Sequence, residues 1–197
     1  MPMARQPHNR PPIQPNSRAI KLPKQTEAPV VDDKTTARIA KLQPLTITEK
    51  TFVRSRPEKV YFSSVTPLER SRWDKSLQRI RFVASAKGEP IPSKVAENAV
   101  IETILPLRLG GLFHMQYVMV RQPQGFALQA VKGSFGVLGG MAESWLFEPF
   151  KGGTQVTLQR TLVPRFKPLR SYIERNHAKA MKTALDALKS FVEESQK

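Results

Sequence analysis

The sequence predicts one α+β domain in which a curved antiparallel sheet of seven strands surrounds a single long C-terminal helix. Between residues 45 and 163, short segments of alternating apolar and polar residues predict strands. The connections between most of them are too short for helical crossovers, so neighbouring strands must run antiparallel. The end of the chain instead repeats apolar residues at steps of three and four, which indicates a helix with one buried face.

The first strand is predicted at residues 45–54, where Leu45, Ile47 and Val53 alternate with threonines and other polar residues. Two short helices are then predicted, near residues 56–64 and 67–73. Each helix would begin with a capping box, in which a hydroxyl residue and a glutamate three positions later satisfy free backbone N–H groups. The two boxes are Ser55 with Glu58 and Thr66 with Glu69, each with a proline between them.

Six further strands are predicted after these helices. Their segments are Leu77–Ala84, Lys94–Leu105, Phe113–Arg121, Gly125–Lys132, Met141–Phe150 and Thr154–Val163. The predicted turns between them contain Lys87–Pro90, Gly110-Gly111, Gln122–Gly125, Gly139-Gly140 and Lys151–Gly153.

The last element is a helix predicted from Pro168 to Glu194. At about 1.5 Å per residue it would be about 39 Å long, enough to cross a whole sheet. Its apolar stripe contains Leu169, Ile173, His177, Ala180, Ala184, Leu188 and Phe191, widened by Met181, Leu185 and Val192.

Residues 1–43 differ in composition from the domain predicted at 44–197. They contain seven prolines, precede the first aromatic residue, Phe52, and have no acidic residue from Met1 to Thr26. Such a segment cannot bury enough apolar surface to offset its ordering entropy, so we predict a disordered basic tail. Arginine without acid also suggests an organelle-targeting peptide, although the prolines oppose the amphipathic helix that such peptides form. We therefore predict a cytoplasmic protein, with organelle targeting as the alternative.

The chain carries a net charge of +16, and it has no cysteine. The charge favours anionic partners such as membrane surfaces or nucleic acid, and nucleic acid is the weaker of the two because no recognised binding motif accompanies it.

The lack of cysteine excludes disulfides and thiolate chemistry. No window reaches the roughly 18 apolar residues of a membrane span. The three histidines are too widely spaced to indicate a metal site, and no motif indicates a cofactor. The oligomeric state is left open.

The order of elements and several local stretches resemble one known superfamily. The stretches are TFVRSRPEKVYFSSVTPLERSRW ending at Trp73, the turn at Gly88, ESWLFEP followed by GGTQVT at residues 143–157, and ALDALKSFVEE at residues 184–194. Together they resemble the SRPBCC superfamily, which has a helix-grip fold and includes START lipid-transfer domains, the birch-pollen-allergen family, polyketide cyclases and coenzyme-Q-binding proteins. The resemblance covers residues 45–194.

This resemblance implies an apolar cavity between the sheet and the long helix, and a protein that binds or carries a lipid, quinone, isoprenoid or pigment. Methionines and aromatic residues at alternating positions are compatible with such a cavity, although they also suit a filled core. The predicted lining residues are Trp73, Phe113, Met115, Tyr117, Met119, Phe126, Leu128, Met141, Trp145, Phe147, Ile173 and His177.

The same resemblance permits an enzyme of the cyclase or aromatase kind, which would need an acid or base in the cavity. The candidates are Glu143, Tyr117 and His177. Glu143 points inward if Met141 and Trp145 do, and outward in the opposite register, and the sequence leaves both open. His177 is better interpreted as a core residue of the helix stripe.

A third hypothesis is a basic interaction protein. Basic residues surround the start of the predicted long helix, where they could bind an anionic membrane or phosphate backbones. They are Arg165, Lys167, Arg170, Arg175, Lys179 and Lys182.

Overall fold

The computed structural model describes residues 43–86, 88–133 and 137–195, so the predicted tail lies outside it except for Gln43. The strands are β1 (Leu45–Val53), β2 (Arg79–Val83), β3 (Val100–Ile104), β4 (Leu112–Arg121), β5 (Gly125–Gly133), β6 (Leu138–Phe150) and β7 (Gly153–Pro164). The helices are α1 (Pro57–Val65), α2 (Pro67–Trp73) and α3 (Arg170–Glu194), with 3-10 turns at Leu107–Leu109 and Lys167–Leu169. The predicted fold class is confirmed.

All seven strands form one antiparallel sheet in the order β1-β7-β6-β5-β4-β3-β2. Strands β2 to β7 follow one another as a meander, and from β3 onward their connections are short, as predicted. The predicted strand Lys94–Leu105 is wrong in its first half, because β3 is only Val100–Ile104 and the preceding residues belong to a long connection from β2. Strand β1 instead pairs with β7 along its whole length, from Leu45 opposite Leu162 to Val53 opposite Thr154. The helices α1 and α2 fill the long connection that this pairing requires.

Helix α3 buries one face, as its apolar period predicts. The buried positions are Ile173, His177, Met181, Ala184, Leu185, Leu188 and Val192. They face β1 and β7 as well as α1 and α2. Burying each large aliphatic side chain contributes about 1.5–3 kcal/mol, so this stripe holds the helix against the sheet.

Aromatic side chains fill much of the space on the inner face of the sheet. The rings of Phe126, Trp145 and Phe147 form a group of three, with centroids 6.0 to 6.3 Å apart and planes within 27° of parallel. Tyr61 of α1 meets Phe126 and Phe147 edge to face. Such ring pairs add about 0.5–1.5 kcal/mol each beyond their burial, and they fix α1 over the middle of the sheet.

The predicted turn at Gly139-Gly140 is wrong, because both glycines lie within β6. The pairing with β7 is irregular between Leu138 and Gly140, but β6 continues through both glycines as part of the long β6–β7 hairpin. The turn predicted at Lys151–Gly153 is present, with Lys151 and Gly152 at positive φ.

Neither predicted capping box forms. The residue before α1 is Arg56, and the one before α2 is Thr66, and neither makes a side-chain cap hydrogen bond. The Ser55 backbone carbonyl accepts a 2.6 Å hydrogen bond from the Thr154 hydroxyl, which ties the start of α1 to β7. Proline at the start of each helix supplies the helical φ without needing a donor.

None of the helices in the described residues combines the length and the apolar character that crossing a bilayer requires.

Candidate functional site

Glu143 faces the interior of the protein. Along β6, Met141, Glu143, Trp145 and Phe147 are buried while the residues between them are half-buried. Of the two registers that the sequence allows, the structure therefore has the inward one, and only 5% of Glu143 is exposed. A carboxylate at such a position needs partners that replace water.

Two arginines and a tryptophan provide those partners. Arg70 of α2 donates from Nη1 to Glu143 Oε1 at 2.8 Å. Arg160 of β7 donates from Nε to Oε2 at 3.1 Å and from Nη2 to the same oxygen. The Trp145 indole N–H donates to Oε1 at 2.7 Å. Both oxygens of the carboxylate are thus occupied by donors from three elements.

Two more side chains complete the group, which we call the charged cluster: Arg70, Asp74, Glu143, Arg160 and His177. Arg70 Nε donates to Asp74 Oδ2 at 3.0 Å, one helical turn further along the chain. The other Asp74 oxygen accepts from the backbone N–H and the hydroxyl of Ser76. The two guanidiniums and two carboxylates balance in formal charge, which a buried group of ions requires.

The electrostatics hold the cluster in its ionised form. Burial alone would raise the pKa of Glu143, but the Arg70 and Arg160 charges, with hydrogen bonds from Trp145 and Arg160, lower it far below its usual value. Burial would lower the pKa of Arg70, and the carboxylates of Glu143 and Asp74 raise it instead. Glu143 is consequently an ionised hydrogen-bond acceptor and a very weak base.

His177 meets the cluster from α3. Its Nδ1 lies 3.2 Å from Arg160 Nη1. A guanidinium can only donate, so Nδ1 accepts and the ring proton is on Nε2. Burial and the Arg160 charge lower the pKa of His177 to about 3, against a smaller opposite effect of Glu143. His177 is therefore neutral near pH 7, and its Nε2 has no hydrogen-bond partner among the described residues.

Tyr117 has a structural contact. Its hydroxyl donates to the Val65 carbonyl at the end of α1, at 2.6 Å. Burial raises the pKa of Tyr117 above its ordinary value, and this effect is larger than those of the neighbouring charged groups. Trp73 makes a similar tie, from its indole N–H to the Ser63 carbonyl at 2.8 Å. These two bonds fasten α1 to β4 and to α2.

A small cavity lies beside the charged cluster, between α2 and the inner face of the sheet. Its volume is about 10 Å³, about enough for one water molecule. Its lining is partly polar and partly apolar. The lining residues are Arg70, Thr103, Glu143 and Arg160, with Leu77, Leu105, Met115, Leu128 and Met141.

The sequence analysis expected a ligand-sized space here, and this cavity is far smaller. Sites for drug-sized ligands occupy about 300–1,000 Å³. The physical reason is the size of the side chains on the inner face, because the stacked rings of Phe126, Trp145 and Phe147 take up the volume near α1. This cavity is therefore too small for a ligand of that size.

All twelve residues predicted to line a ligand cavity are buried. Three of them, Met115, Leu128 and Met141, line the small cavity, and the rest pack elsewhere in the interior. The structure brings Glu143 and His177 into one cluster through Arg160. Tyr117 is engaged with α1 instead. Their roles in binding or catalysis remain predictions.

The sequence analysis missed both arginines of the cluster, although each left a signal. Arg160 continues the apolar alternation of Val156, Leu158 and Leu162 on β7, which is unusual for a charged residue. Arg70 lies between the buried Pro67 and Trp73 at helical spacing. A charged residue in phase with a buried face indicates a buried partner of opposite charge.

Within the described residues, no three His, Asp or Glu side chains come together as metal ligands.

The fold places the chain in the class of helix-grip proteins, in which an antiparallel sheet surrounds a long C-terminal helix. No family model matches the sequence. No curated protein matches it either. The likeness is found among solved structures, which the chain covers almost from end to end.

Three of these structures are similar in size and arrangement. A protein from Thermus thermophilus superposes with a TM-score of 0.64 at 14% identity, covering 78% of this chain and 100% of that one. The Zhui aromatase/cyclase from Streptomyces sp. R1128 gives 0.63 at 12% identity, with 79% and 97% covered. A START superfamily protein from Mycobacterium smegmatis gives 0.61 at 9% identity, with 76% and 97% covered. The resemblance to this superfamily is confirmed in the fold.

Proposed function

We propose that the protein binds a hydrophobic small molecule with an uncharged polar end, in the space between α2 and the inner face of the sheet. The observation that carries the proposal is the small cavity. Its lining combines guanidinium and carboxylate groups with methionine and leucine side chains. A mixed lining of this kind suits a molecule with a polar end and an apolar body.

The charged cluster supports this assignment because it is expected to contribute little net free energy to folding. Buried ion pairs often contribute no more than well-packed apolar residues of the same volume. Arg70, Glu143 and Arg160 are each at most 5% exposed, so the cost of removing them from water is large. A group of this kind is more readily explained by recognition of a polar ligand atom.

The balanced charge of the cluster favours a neutral ligand end. A carbonyl or hydroxyl oxygen could accept from a guanidinium in the position where the cavity has room for a water molecule. A carboxylate or phosphate would add an unbalanced buried charge. Quinones, isoprenoid alcohols and pigments with ketone or hydroxyl groups have the required chemistry, and fatty acids fit less well.

The interior must open for such a ligand. Met115 and Met141 line the cavity, and unbranched methionine side chains change rotamer more easily than branched ones. Ligand entry would then shift these two side chains and enlarge the cavity. The aromatic rings of Phe126, Trp145 and Phe147 do not line the cavity and would keep their positions.

The contacts favour binding over the cyclase alternative. Proton transfer needs a group whose pKa lies near the working pH. Glu143 is held ionised by two arginines, Tyr117 is bound to α1 with a raised pKa, and the pKa of His177 is about 3. None of the three candidate residues has the pKa of an acid or base at neutral pH.

The test uses the purified full-length chain and two probes that fluoresce in apolar surroundings. Prodan is an uncharged ketone, and anilinonaphthalene sulfonate is an anion of similar size. We expect a blue-shifted and enhanced prodan emission, and a weaker response of the anion. Mass spectrometry of an organic-solvent extract would identify any molecule that co-purifies.

A matched pair of variants tests whether the probe binds in the small cavity. Met115→Ala enlarges the cavity, and we expect tighter prodan binding. Val118→Ala removes a similar side chain from the same strand, where Val118 is 41% exposed, and should leave binding unchanged. A wild-type protein and a Met115→Ala variant that both leave prodan emission unaltered, with an empty extract, would contradict the proposal.

A further inference from the structure

One end of the domain combines exposed apolar side chains with a strong excess of positive charge. It consists of the β3–β4 connection, the β7–α3 connection and the first turns of α3, and we call it the basic end. Its 3-10 turn at Leu107–Leu109 contacts α3. The Arg165 backbone N–H donates to the Val137 carbonyl at 2.9 Å, which attaches the β7–α3 connection to the start of β6.

Four apolar side chains project from this end. Leu107 is 89% exposed and Phe166 is 54% exposed, and Tyr172 and Leu169 are also exposed. Single exposed apolar residues are ordinary on protein surfaces. Several of them on connections that meet at one end form a patch of the kind that marks an interaction site.

Basic residues surround these side chains. They are Arg108, Arg165, Lys167, Arg170 and Arg175, and the same segments, residues 105–111 and 164–175, contain a single acidic residue, Glu174. Arg108, Lys167 and Arg175 form no ion pair with a carboxylate in the part of the chain that the structure describes. Their charge is thus directed to solvent.

The other end of the domain shows that exposed apolar residues alone do not define this surface. Phe62 and Leu68 are exposed there, on α1 and α2. Those helices also carry Glu58 and Glu69, and Glu69 pairs with Arg72 at 3.1 Å. The acidic residues beside Phe62 and Leu68 offset part of the local positive charge, whereas the basic end has only Glu174 to do so.

We propose that the basic end docks on an anionic lipid membrane. Leu107 and Phe166 enter the boundary between head groups and acyl chains, and the surrounding arginines and lysines bind the anionic head groups. Nucleic acid is the weaker alternative because Leu107, the most exposed of the four, and Leu169 offer no ring on which a base can stack, so that only Phe166 and Tyr172 could do so. None of the exposed apolar or unpaired basic residues of this surface lines the small cavity, although Leu105 at the start of the β3–β4 connection does.

The experiment is flotation of the full-length protein with phosphatidylcholine vesicles, with and without phosphatidylserine. We expect binding only with phosphatidylserine, weakened by salt as screening increases. The triple variant Arg108→Gln, Lys167→Gln, Arg175→Gln should bind about 100-fold more weakly, because each basic residue near an anionic surface contributes about fivefold. Its matched control neutralises Lys94, Arg121 and Lys151, which lie outside the basic end, and should bind within a fewfold of the wild type.

Insertion of the apolar side chains into the membrane is measured separately. Phe166→Trp places a reporter at the patch, while the native Trp73 and Trp145 are buried. We expect the reporter's fluorescence to shift to the blue on vesicle binding and to be quenched by lipids brominated in the acyl chains. The double variant Leu107→Ser, Phe166→Ser should weaken flotation, and Leu68→Ser, Ile91→Ser should not.

Three results would overturn the proposal. The first is equal binding of the triple variant and the wild type. The second is an unquenched reporter in the Phe166→Trp variant together with unchanged flotation of the double serine variant, which would reduce the effect to general charge attraction. The third is competition by single-stranded RNA that displaces the protein from vesicles and depends on the same three basic residues but on neither Leu107 nor Phe166. Circular dichroism melts of each variant identify any loss of folding.

Discussion

At the scale of single residues, Glu143 shows how one buried charge organises its neighbours. It binds Arg70 from α2 and Arg160 from β7, and it accepts from Trp145 on its own strand. Through Arg160 the same carboxylate fixes the tautomer of His177 on α3. One side chain thereby links a short helix, two strands and the long helix.

Glu143→Gln should be strongly destabilising. The amide keeps the size of the side chain but leaves two buried guanidiniums without their shared counter-charge, which costs about 3–5 kcal/mol. The matched control is Glu102→Gln. Glu102 pairs with Arg79 and Arg81, whose side chains are 50% and 57% exposed, so its loss should cost about 1 kcal/mol or less. Urea unfolding of both variants measures the difference, and equal costs would show that the cluster lacks the proposed coupling.

At the scale of elements, the sheet depends on close backbone approach at the β4–β5 hairpin. A Cβ built on Gly125 would lie 2.3 Å from the carbonyl oxygen of Trp145, the residue before its pairing partner on β6. That oxygen belongs to the backbone of a central strand and has no room to retreat. Gly152 in the β6–β7 turn has a φ of +79° but open space around it.

These two glycines should respond differently to alanine. Gly125→Ala must separate β5 from β6 and should cost about 3 kcal/mol, as overpacking does in other interiors. Gly152→Ala meets only the strain of a left-handed backbone, about 1 kcal/mol. Thermal unfolding compares them, and hydrogen exchange of the β5–β6 amides should increase only in Gly125→Ala. A larger effect at Gly152 would contradict this account.

The elements were more predictable from the sequence than the site. Alternation on β6 and the helical period of α3 depend on local spacing, and both elements appear where that spacing predicts them. The phase of β6 was not predictable, because Ala142, Ser144 and Leu146 offered a second plausible inner face. Arg70 and Arg160 were missed because each satisfies its charge with a residue far away in the chain. The small volume of the cavity depends on how the large aromatic rings pack together, and the spacing of residues along the sequence does not determine that packing.

At the scale of the whole molecule, acid should unfold the domain at a higher pH than its surface charges alone would predict. The folded protein keeps His177 neutral down to about pH 3, whereas the unfolded chain binds that proton near pH 6.5. Stability is therefore complete above pH 6.5 and is lost as the pH falls between these two values. Glu143 acts in the same direction below about pH 4.5, because its pKa is also lowered by folding.

His177→Gln isolates the first of these effects. The amide oxygen can still accept from Arg160, and no proton is taken up on unfolding. The wild type should lose about 2 kcal/mol between pH 6.5 and pH 5, at about 1.4 kcal/mol for each pH unit, while the variant should lose much less. Parallel pH profiles of urea midpoints for wild type and His177→Gln would refute this linkage.

The pairing of β1 with β7 has a consequence for how the chain is made. Synthesis delivers β1 early, and its neighbour β7, which ends at Pro164, is complete only more than a hundred residues later. Until then the nascent chain carries an open strand edge with unpaired amides, which invites association with other chains. Premature termination anywhere before Pro164 should therefore yield an aggregating fragment instead of a smaller working domain.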